Sequence, residues 1–161
     1  MQAAYTLIDD ATLDRLLELD GADLVEALEA LETGDTATVY VDKLWDGLHF
    51  LLTGALASDP IDGEPLSEAV VGVHVVDDDD YVGCTEFDEL GPIIGALDGF
   101  DLNAALAGAD FAEFARAGVT PSIWKDEPSQ LRGELADAFA LVRDAHRRAA
   151  EAERHLLVSI F

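Results

Sequence analysis

A histidine stands in the middle of an otherwise apolar segment, DKLWDGLHFLLTG, which extends from Asp42 to Gly54. At helical spacing, Trp45 and His49 lie on one side of this segment, one turn apart. His49 is either a neutral core residue, hydrogen-bonded to a backbone carbonyl or a carboxylate, or an acid–base group in a pocket whose wall is Trp45. The core interpretation is favoured, because the spacing fixes no second polar group near His49.

The other histidines, the single cysteine and an acidic run give weaker signals for chemistry. His74, His146 and His155 show no pair spacing typical of zinc ligands, so no metal site is predicted. Cys84 precedes a predicted helix start, where a thiolate would be favoured, but a packed thiol is the favoured interpretation. Asp77–Asp80 are adjacent aspartates whose side chains cannot converge as those of a calcium loop do, and they predict a solvated hairpin tip.

Motifs for nucleotide binding and hydrolysis are absent from the sequence. The glycines form no G-x-G-x-x-G pattern and no Walker loop, and G-x-S-x-G is also missing. Trp124, in the segment TPSIWKDE, is predicted to cover the core or to line a groove, with core cover favoured. No cofactor is predicted and catalytic residues remain unassigned. The candidate binding residues are Lys43, Trp45, His49 and Trp124.

Charge is the strongest compositional feature of the chain. Of its 161 residues, 34 are aspartate or glutamate and 9 are lysine or arginine, which gives a net charge of −25. This balance argues against binding to nucleic acids or anionic membranes, both of which attract basic surfaces. Residues 1–130 carry the whole excess, because residues 131–161 contain five acids and five bases. The acidity predicts either an adaptation for solubility, as in a salt-adapted organism, or a face that captures a basic partner.

The helices and strands that the sequence predicts around these residues indicate an α+β fold in a single domain, residues 1–161. Helices are predicted before and after Gly21, and the longest helix from Leu131 to Ala152. Asp42 is predicted to cap the helix that carries His49, and Gly54 to end it. A small mixed or antiparallel sheet is predicted, with strands at Thr36–Val41, Val70–Val76 and Leu156–Ile160 and a short strand at Tyr81–Cys84.

The cellular location of the protein is predicted from its cysteine content and from the lengths of its apolar runs. A single cysteine excludes an intrachain disulfide and fits a reducing cytoplasm. The opening residues show no basic segment followed by an apolar run, so no signal peptide is expected. No apolar run approaches the ~20 residues of a membrane span. We therefore expect a cytoplasmic protein, with an oligomeric state that the sequence does not indicate.

Several segments match, in order along the chain, those of one known family. The most specific is YVDKLWDGLHFLLTG, in which Lys43, Trp45, His49 and Gly54 occur together. The segments YTLIDDATLDRLLEL, PLSEAVVG, YVGCTEFDELGPIIGALDGFD and AGVTPSIWKDE also match, as does the alanine-rich last helix with its apolar ending. In these segments the chain resembles the YfbM-like family of bacterial proteins of unknown function, with a departure at Val73, where a second glycine is usual. The resemblance implies an α+β fold and a cytosolic location, and it assigns no catalytic residue.

Two functions of different classes are compatible with these residues. The favoured one is a binding or protein-interaction module whose acidic surface takes a basic protein partner. By analogy, neutralising a toxin, as small acidic immunity proteins do, would be one case. The alternative is a small enzyme in which His49 is the acid or base, Lys43 or a nearby carboxylate assists it, and Trp45 forms the pocket wall. The enzyme requires that His49 open onto a cleft beside other polar side chains.

Overall fold

An antiparallel sheet between two layers of helix is the centre of the fold. The computed structural model describes residues 1–34, 37–79 and 81–161. In these residues the sheet has five strands in the order β2-β1-β5-β4-β3. The strands are β1 (Ala3–Ile8), β2 (Thr38–Val41), β3 (His74–Asp77), β4 (Val82–Thr85) and β5 (His155–Ile160). The predicted α+β class is confirmed, and each pair of neighbouring strands is antiparallel.

The helices divide between the two faces of the sheet. Two helices, α1 (Asp10–Leu16) and α2 (Gly21–Thr33), pack their buried leucines on the face that carries Ile8, Cys84 and Leu157. The larger core lies on the other face and includes Tyr5 and Val158. The helices of that layer are α3 (Trp45–Thr53), α4 (Pro65–Val71), α5 (Leu90–Gly99), α6 (Leu102–Gly108), α7 (Phe111–Ala117) and α8 (Pro128–Glu151).

The longest helix, α8, confirms the prediction of a long helix in the last quarter of the chain. It begins at Pro128, because proline at the first helical position lacks only an N–H that would have no partner within the helix. Its buried side chains recur at helical spacing, so one stripe faces the sheet and the opposite face is polar. The buried residues are Leu131, Leu135, Ala138, Phe139, Val142, Ala145, His146 and Ala149.

No strand is predicted at Ala3–Ile8, yet β1 forms there as one of the central strands. It pairs with β2 along one edge and with β5 along the other. Ala3, Ala4 and Tyr5 are each 0% exposed, so both faces of the strand are buried and no solvated face produces an alternating pattern. The two alanines also have low intrinsic strand preference. Pairing and burial, both long-range effects, therefore decide the conformation of this segment.

The segment predicted as a buried strand from Val70 to Val76 is divided between a helix and an edge strand. Val71 ends α4, the chain turns at Gly72 with φ +87°, and β3 begins at His74. A side chain at Gly72 would be strained at this φ, and its Cβ would lie 2.9 Å from the backbone nitrogen of Cys84. Val75 is 59% exposed at the sheet edge. The prediction is confirmed for His74–Val76 and wrong for Val70–Val73, because the glycine turn outweighs the strand preference of the valines.

The other predicted strands are confirmed with small shifts of their ends. β2 begins at Thr38, and the predicted start at Thr36 lies outside the described residues. β4 is displaced by one residue from the prediction, and β5 begins one residue earlier. Asp78 and Asp79 form an exposed turn after β3, as predicted for the acidic hairpin tip, while Asp80 lies outside the described residues.

Candidate functional site

The helix that carries the candidate residues, α3, is almost completely buried. Six of its nine residues are buried: Trp45, Asp46, Gly47, Leu48, His49 and Leu52. Gly54 ends the helix as predicted, with φ 75° and its N–H donating to the carbonyl of Phe50. The predicted cap at Asp42 is wrong. The helix begins at Trp45, three residues after Asp42, and the residue before it is Leu44, whose side chain has no polar atom. Burial of apolar side chains therefore stabilises α3.

His49 is fully buried, and both of its ring nitrogens are hydrogen-bonded. Its Nδ1 lies 2.8 Å from the carbonyl oxygen of Ala55, and its Nε2 lies 2.7 Å from Oγ of Ser67. A carbonyl oxygen can only accept, so Nδ1–H donates to Ala55 and Nε2 accepts from the Ser67 hydroxyl. Ser67 Oγ also accepts from the backbone N–H of Ile61 at 2.9 Å. The prediction of a buried, hydrogen-bonded histidine is confirmed.

Electrostatics keep the His49 ring neutral. Burial lowers the pKa of His49 below its ordinary value, and the hydrogen bond to Ala55 and the nearby carboxylate of Asp46 oppose this shift. A serine hydroxyl beside a neutral imidazole nitrogen is the order of groups in a nucleophile–base pair. Ser67, however, is also 0% exposed, so no substrate reaches its Oγ in this arrangement. The hydrogen bonds instead fix residues 55–61 between α3 and α4.

Asp46 is a second buried polar residue on α3 and joins two further segments to the helix. It is 5% exposed, and its Oδ1 accepts from the backbone N–H of Ala57 at 2.9 Å. Its Oδ2 accepts from the backbone N–H of Thr120 at 2.8 Å and from the Thr120 hydroxyl at 3.0 Å. These three hydrogen bonds compensate for the burial of the carboxylate. Asp46 therefore holds the segments at Ala57 and Thr120 against α3.

Trp124 packs on α3 at the one position where the helix has no side chain. It is 5% exposed, and its indole N–H donates to the carbonyl of Val119 at 2.7 Å. The ring stacks on Phe111, with centroids 5.9 Å apart and planes 16° apart. A Cβ at Gly47 would collide with the indole ring. Trp124 covers the core, as favoured, and also borders a surface cavity of about 290 Å³ lined with Ala115, Gly118, Val119, Ser122 and Lys125.

Lys43 lies at the surface, apart from the buried network of α3. It is exposed and lines a groove of about 280 Å³ between the start of α3 and α8. The groove is otherwise acidic and apolar, with Asp42, Val41, Leu44, Glu134, Asp137, Ala138 and Leu141. The structure thus places Trp45, His49 and Trp124 in the core and separates Lys43 from them. A binding role for these four residues stays a prediction.

The remaining titratable candidates are buried or engaged at the surface. Cys84 is 2% exposed, and burial raises the pKa of its thiol to about 12, which agrees with a packed thiol. His146 donates from Nδ1 to the carbonyl of Val142 at 2.8 Å, while its Nε2 has no hydrogen-bond partner among the described residues. Burial lowers the pKa of His146 to about 4. His155 donates from Nε2 to Asp10 at 2.6 Å.

Two features bear on metals and membranes. In the described part of the chain, no group of three or more histidine, cysteine, aspartate or glutamate side chains is arranged to hold a metal ion. None of the helices described has both the length and the apolar character needed to cross a membrane.

Two residues of the network, Asp46 and Ser67, are missed by sequence reasoning. A charged residue on an otherwise apolar helix is a signal for a buried carboxylate, and Asp46 carries that signal. Ser67 stands at the third position of a helix that begins with Pro65, where its hydroxyl gives no distinctive pattern. Its partners, His49 and Ile61, are brought to it by the fold.

Comparison with known proteins gives consistent matches over nearly the whole chain. A family model described as a domain of unknown function (DUF1877) matches residues 1–159. The protein YfbM of Escherichia coli strain K12 is 31% identical over 162 residues, covering 97% of this chain and 95% of YfbM. The crystal structure of YfbM, a protein of unknown function, superposes with a TM-score of 0.84 at 29% identity and covers all of both chains.

Proposed function

Because the chain belongs to the DUF1877 family, whose description names no activity, we propose its function from its own surface: it is a protein-interaction module that captures a basic protein partner. The observation that carries this proposal is the net charge of −25. Neutralisation of a basic toxin, as by an acidic immunity protein, is one form that such capture would take. The reduced, buried thiol of Cys84 is consistent with a cytoplasmic location for the module.

The chain's own cations cannot compensate its carboxylates. In the described residues, arginine–carboxylate pairs occur at Arg116–Asp110, Arg147–Asp98 and Arg148–Asp144. With 34 acidic residues against 9 basic ones, most carboxylates have no internal cation to pair with, whatever the details of side-chain placement. The surface therefore has a negative field that attracts cations over a distance of about 8 Å at physiological ionic strength. Such a field increases the association rate with a positively charged protein and disfavours acidic ones.

The enzyme alternative finds less support. A catalytic His49 would need access to substrate, whereas its side chain is 0% exposed and its two nitrogens are bonded to Ala55 and Ser67. The burial of His49 therefore favours the interaction module over the enzyme.

The proposed capture of a basic partner is tested by identifying the proteins that bind and then measuring the Kd of each. The tagged protein is cross-linked in cells that produce it, each captured protein is purified, and its Kd is measured by calorimetry at 50, 150 and 300 mM NaCl. We expect a partner with net positive charge whose Kd rises at least about tenfold across this range, because salt screens the attraction. Sucrose at equal osmolarity is the control and should leave the Kd unchanged. Partners without net positive charge, or a Kd that does not respond to salt, would overturn the proposal.

A further inference from the structure

A groove on the side of the sheet opposite α3 combines apolar walls with two carboxylates. It has a volume of about 310 Å³ and lies between α2 and the end of β5. Its lining includes Val25, Leu28, Glu29, Glu32, Ile160 and Phe161. The α2 residues follow the spacing i, i+3, i+4 and i+7, so one face of the helix contributes all four. Resting on the proposed function, we propose that this groove docks a segment of the partner protein in which lysine or arginine adjoins large apolar residues.

The two carboxylates of the groove lie on a helix, α2, that contains no basic residue. Glu29 and Glu32 lie in the second half of α2, and the last turn of that helix contains no basic residue. The C-terminal end of a helix carries a partial negative charge, roughly half an elementary charge, which adds to theirs. A cation bound here would therefore be attracted by two carboxylates and by the helix end together.

Glu32 shows the effect of this environment. Burial raises the pKa of Glu32 above its ordinary value, and the negative charge of Glu29 raises it further. The opposing contact is a hydrogen bond from the hydroxyl of Ser159 to Oε1 of Glu32, and at 3.4 Å it is long. An ammonium or guanidinium group at this position would supply the charge-assisted hydrogen bonds that the serine gives weakly.

The apolar walls of the groove favour a ligand in which an apolar side chain lies next to the cationic one. Phe161 is 53% exposed, and Leu28 is buried at 9% exposure, so the groove passes from an open aromatic rim to an apolar floor. Its volume is at the lower end of the ~300–1,000 Å³ that ligand pockets span, which suits one or two side chains better than a whole cofactor. Charge complementarity and apolar lining together indicate a basic, amphipathic peptide segment as the occupant.

The groove is tested with three capped hexapeptides and nuclear magnetic resonance. The sequences are Gly-Lys-Leu-Lys-Phe-Gly, its glutamine version Gly-Gln-Leu-Gln-Phe-Gly, and its apolar-free version Gly-Lys-Ser-Lys-Ser-Gly. Titration of the ¹⁵N-labelled protein with the first peptide should shift the amide resonances of residues 28–33 and 159–161. The Kd obtained from these shifts should be at least about fivefold lower for the first peptide than for either of the other two.

Matched variants separate a local site from general attraction. Glu32→Gln should weaken binding of the lysine–leucine peptide at least about fivefold, whereas Glu26→Gln, an exposed acid on the same helix outside the groove, should change it less than about twofold. Phe161→Ala should also weaken binding, and Leu17→Ala, an equally exposed apolar residue outside the groove, should not. Thermal melts of each variant verify that it is folded.

Several results would overturn the inference without affecting the proposed function. They are shifts that map elsewhere, equal binding of the glutamine peptide, and an equal loss of affinity in Glu26→Gln. Spermidine that matched the peptide in affinity and in shifts would show a polyamine site instead of a peptide site. A captured basic protein whose salt-dependent Kd is the same for wild type and Glu32→Gln would place that partner on another surface. Conversely, absence of any basic partner would remove the proposed function even if the peptide bound.

Discussion

Three buried polar side chains, Asp46, His49 and Ser67, hold segments together that are distant in sequence. Asp46 reaches Thr120, 74 residues away, and His49 reaches Ser67, 18 residues away. The apolar pattern of α3 is sufficient to predict that His49 is buried. The pattern cannot identify the partners, because they depend on where the fold brings other segments. At the scale of the residue, burial is therefore more predictable than hydrogen bonding.

Replacing His49 tests the network directly. His49→Ala should lower the free energy of unfolding by roughly 1–3 kcal/mol, since it removes the hydrogen bond to the Ala55 carbonyl and leaves the Ser67 hydroxyl without its acceptor, with a further loss from the cavity. His49→Gln should cost less, because an amide retains one of the two hydrogen bonds. Urea midpoints of both variants measure the difference. An unchanged midpoint in His49→Ala would contradict the network's role in stability.

His146 should make the protein less stable in mild acid. Its pKa is about 4 in the folded state against about 6.5 when unfolded, so between these values the unfolded chain binds more protons. Stability is therefore fully present above about pH 6.5 and is lost as the pH falls towards 4, by up to about 3 kcal/mol. Urea titrations from pH 7 to 4 measure this loss. His49, whose pKa is also lowered, contributes in the same direction.

His146→Leu tests whether this histidine causes the loss of stability in acid. His146→Leu should flatten the pH dependence, since it removes the titrating group and an Nε2 atom that has no partner among the described residues. Equal slopes in wild type and His146→Leu would show that other groups cause the acid sensitivity.

At the scale of the element, the contact between α3 and Trp124 depends on a missing side chain. Gly47→Ala should destabilise the protein although alanine favours helix by about 1 kcal/mol, because the new Cβ collides with the indole ring. Gly133→Ala, in α8, has no atom within 4 Å of the added Cβ and should stabilise instead. Thermal midpoints of the pair should thus shift in opposite directions. Stabilisation in both would mean that Trp124 moves aside freely.

The elements also show which patterns predict the fold and which do not. The amphipathic stripe of α8 predicts it well, since one face must be buried and the other solvated. β1 fails this test, because both of its faces are buried and its two alanines have low intrinsic strand preference. The prediction of one strand from Val70 to Val76 fails for another reason. Gly83 has no side chain, so β4 approaches the carbonyl of Val71 closely and fixes the turn at Gly72.

At the scale of the whole molecule, net charge determines the response to salt. Mutual repulsion of the carboxylates destabilises the folded state, and screening relieves it. Raising NaCl from 50 mM to 1 M should therefore increase Tm, by roughly 2–4 °C if screening contributes about 1 kcal/mol. The effect should shrink near pH 4, where the net charge approaches zero. A Tm that stays constant or falls with NaCl at pH 7 would show that repulsion is not significant for stability.

The central strand pair has a consequence for biosynthesis. β1 and β5 are hydrogen-bonded neighbours, with Ala3 opposite Ile160 and Ile8 opposite His155, so the middle of the sheet joins two segments that are translated far apart in time. While β5 is still inside the ribosome, β1 has emerged and lacks the strand that covers one of its edges. An exposed apolar strand edge of this kind is open to aggregation and to chaperone binding. The nascent chain must therefore wait, with β1 unprotected on that edge, until β5 has left the ribosome and can pair with it.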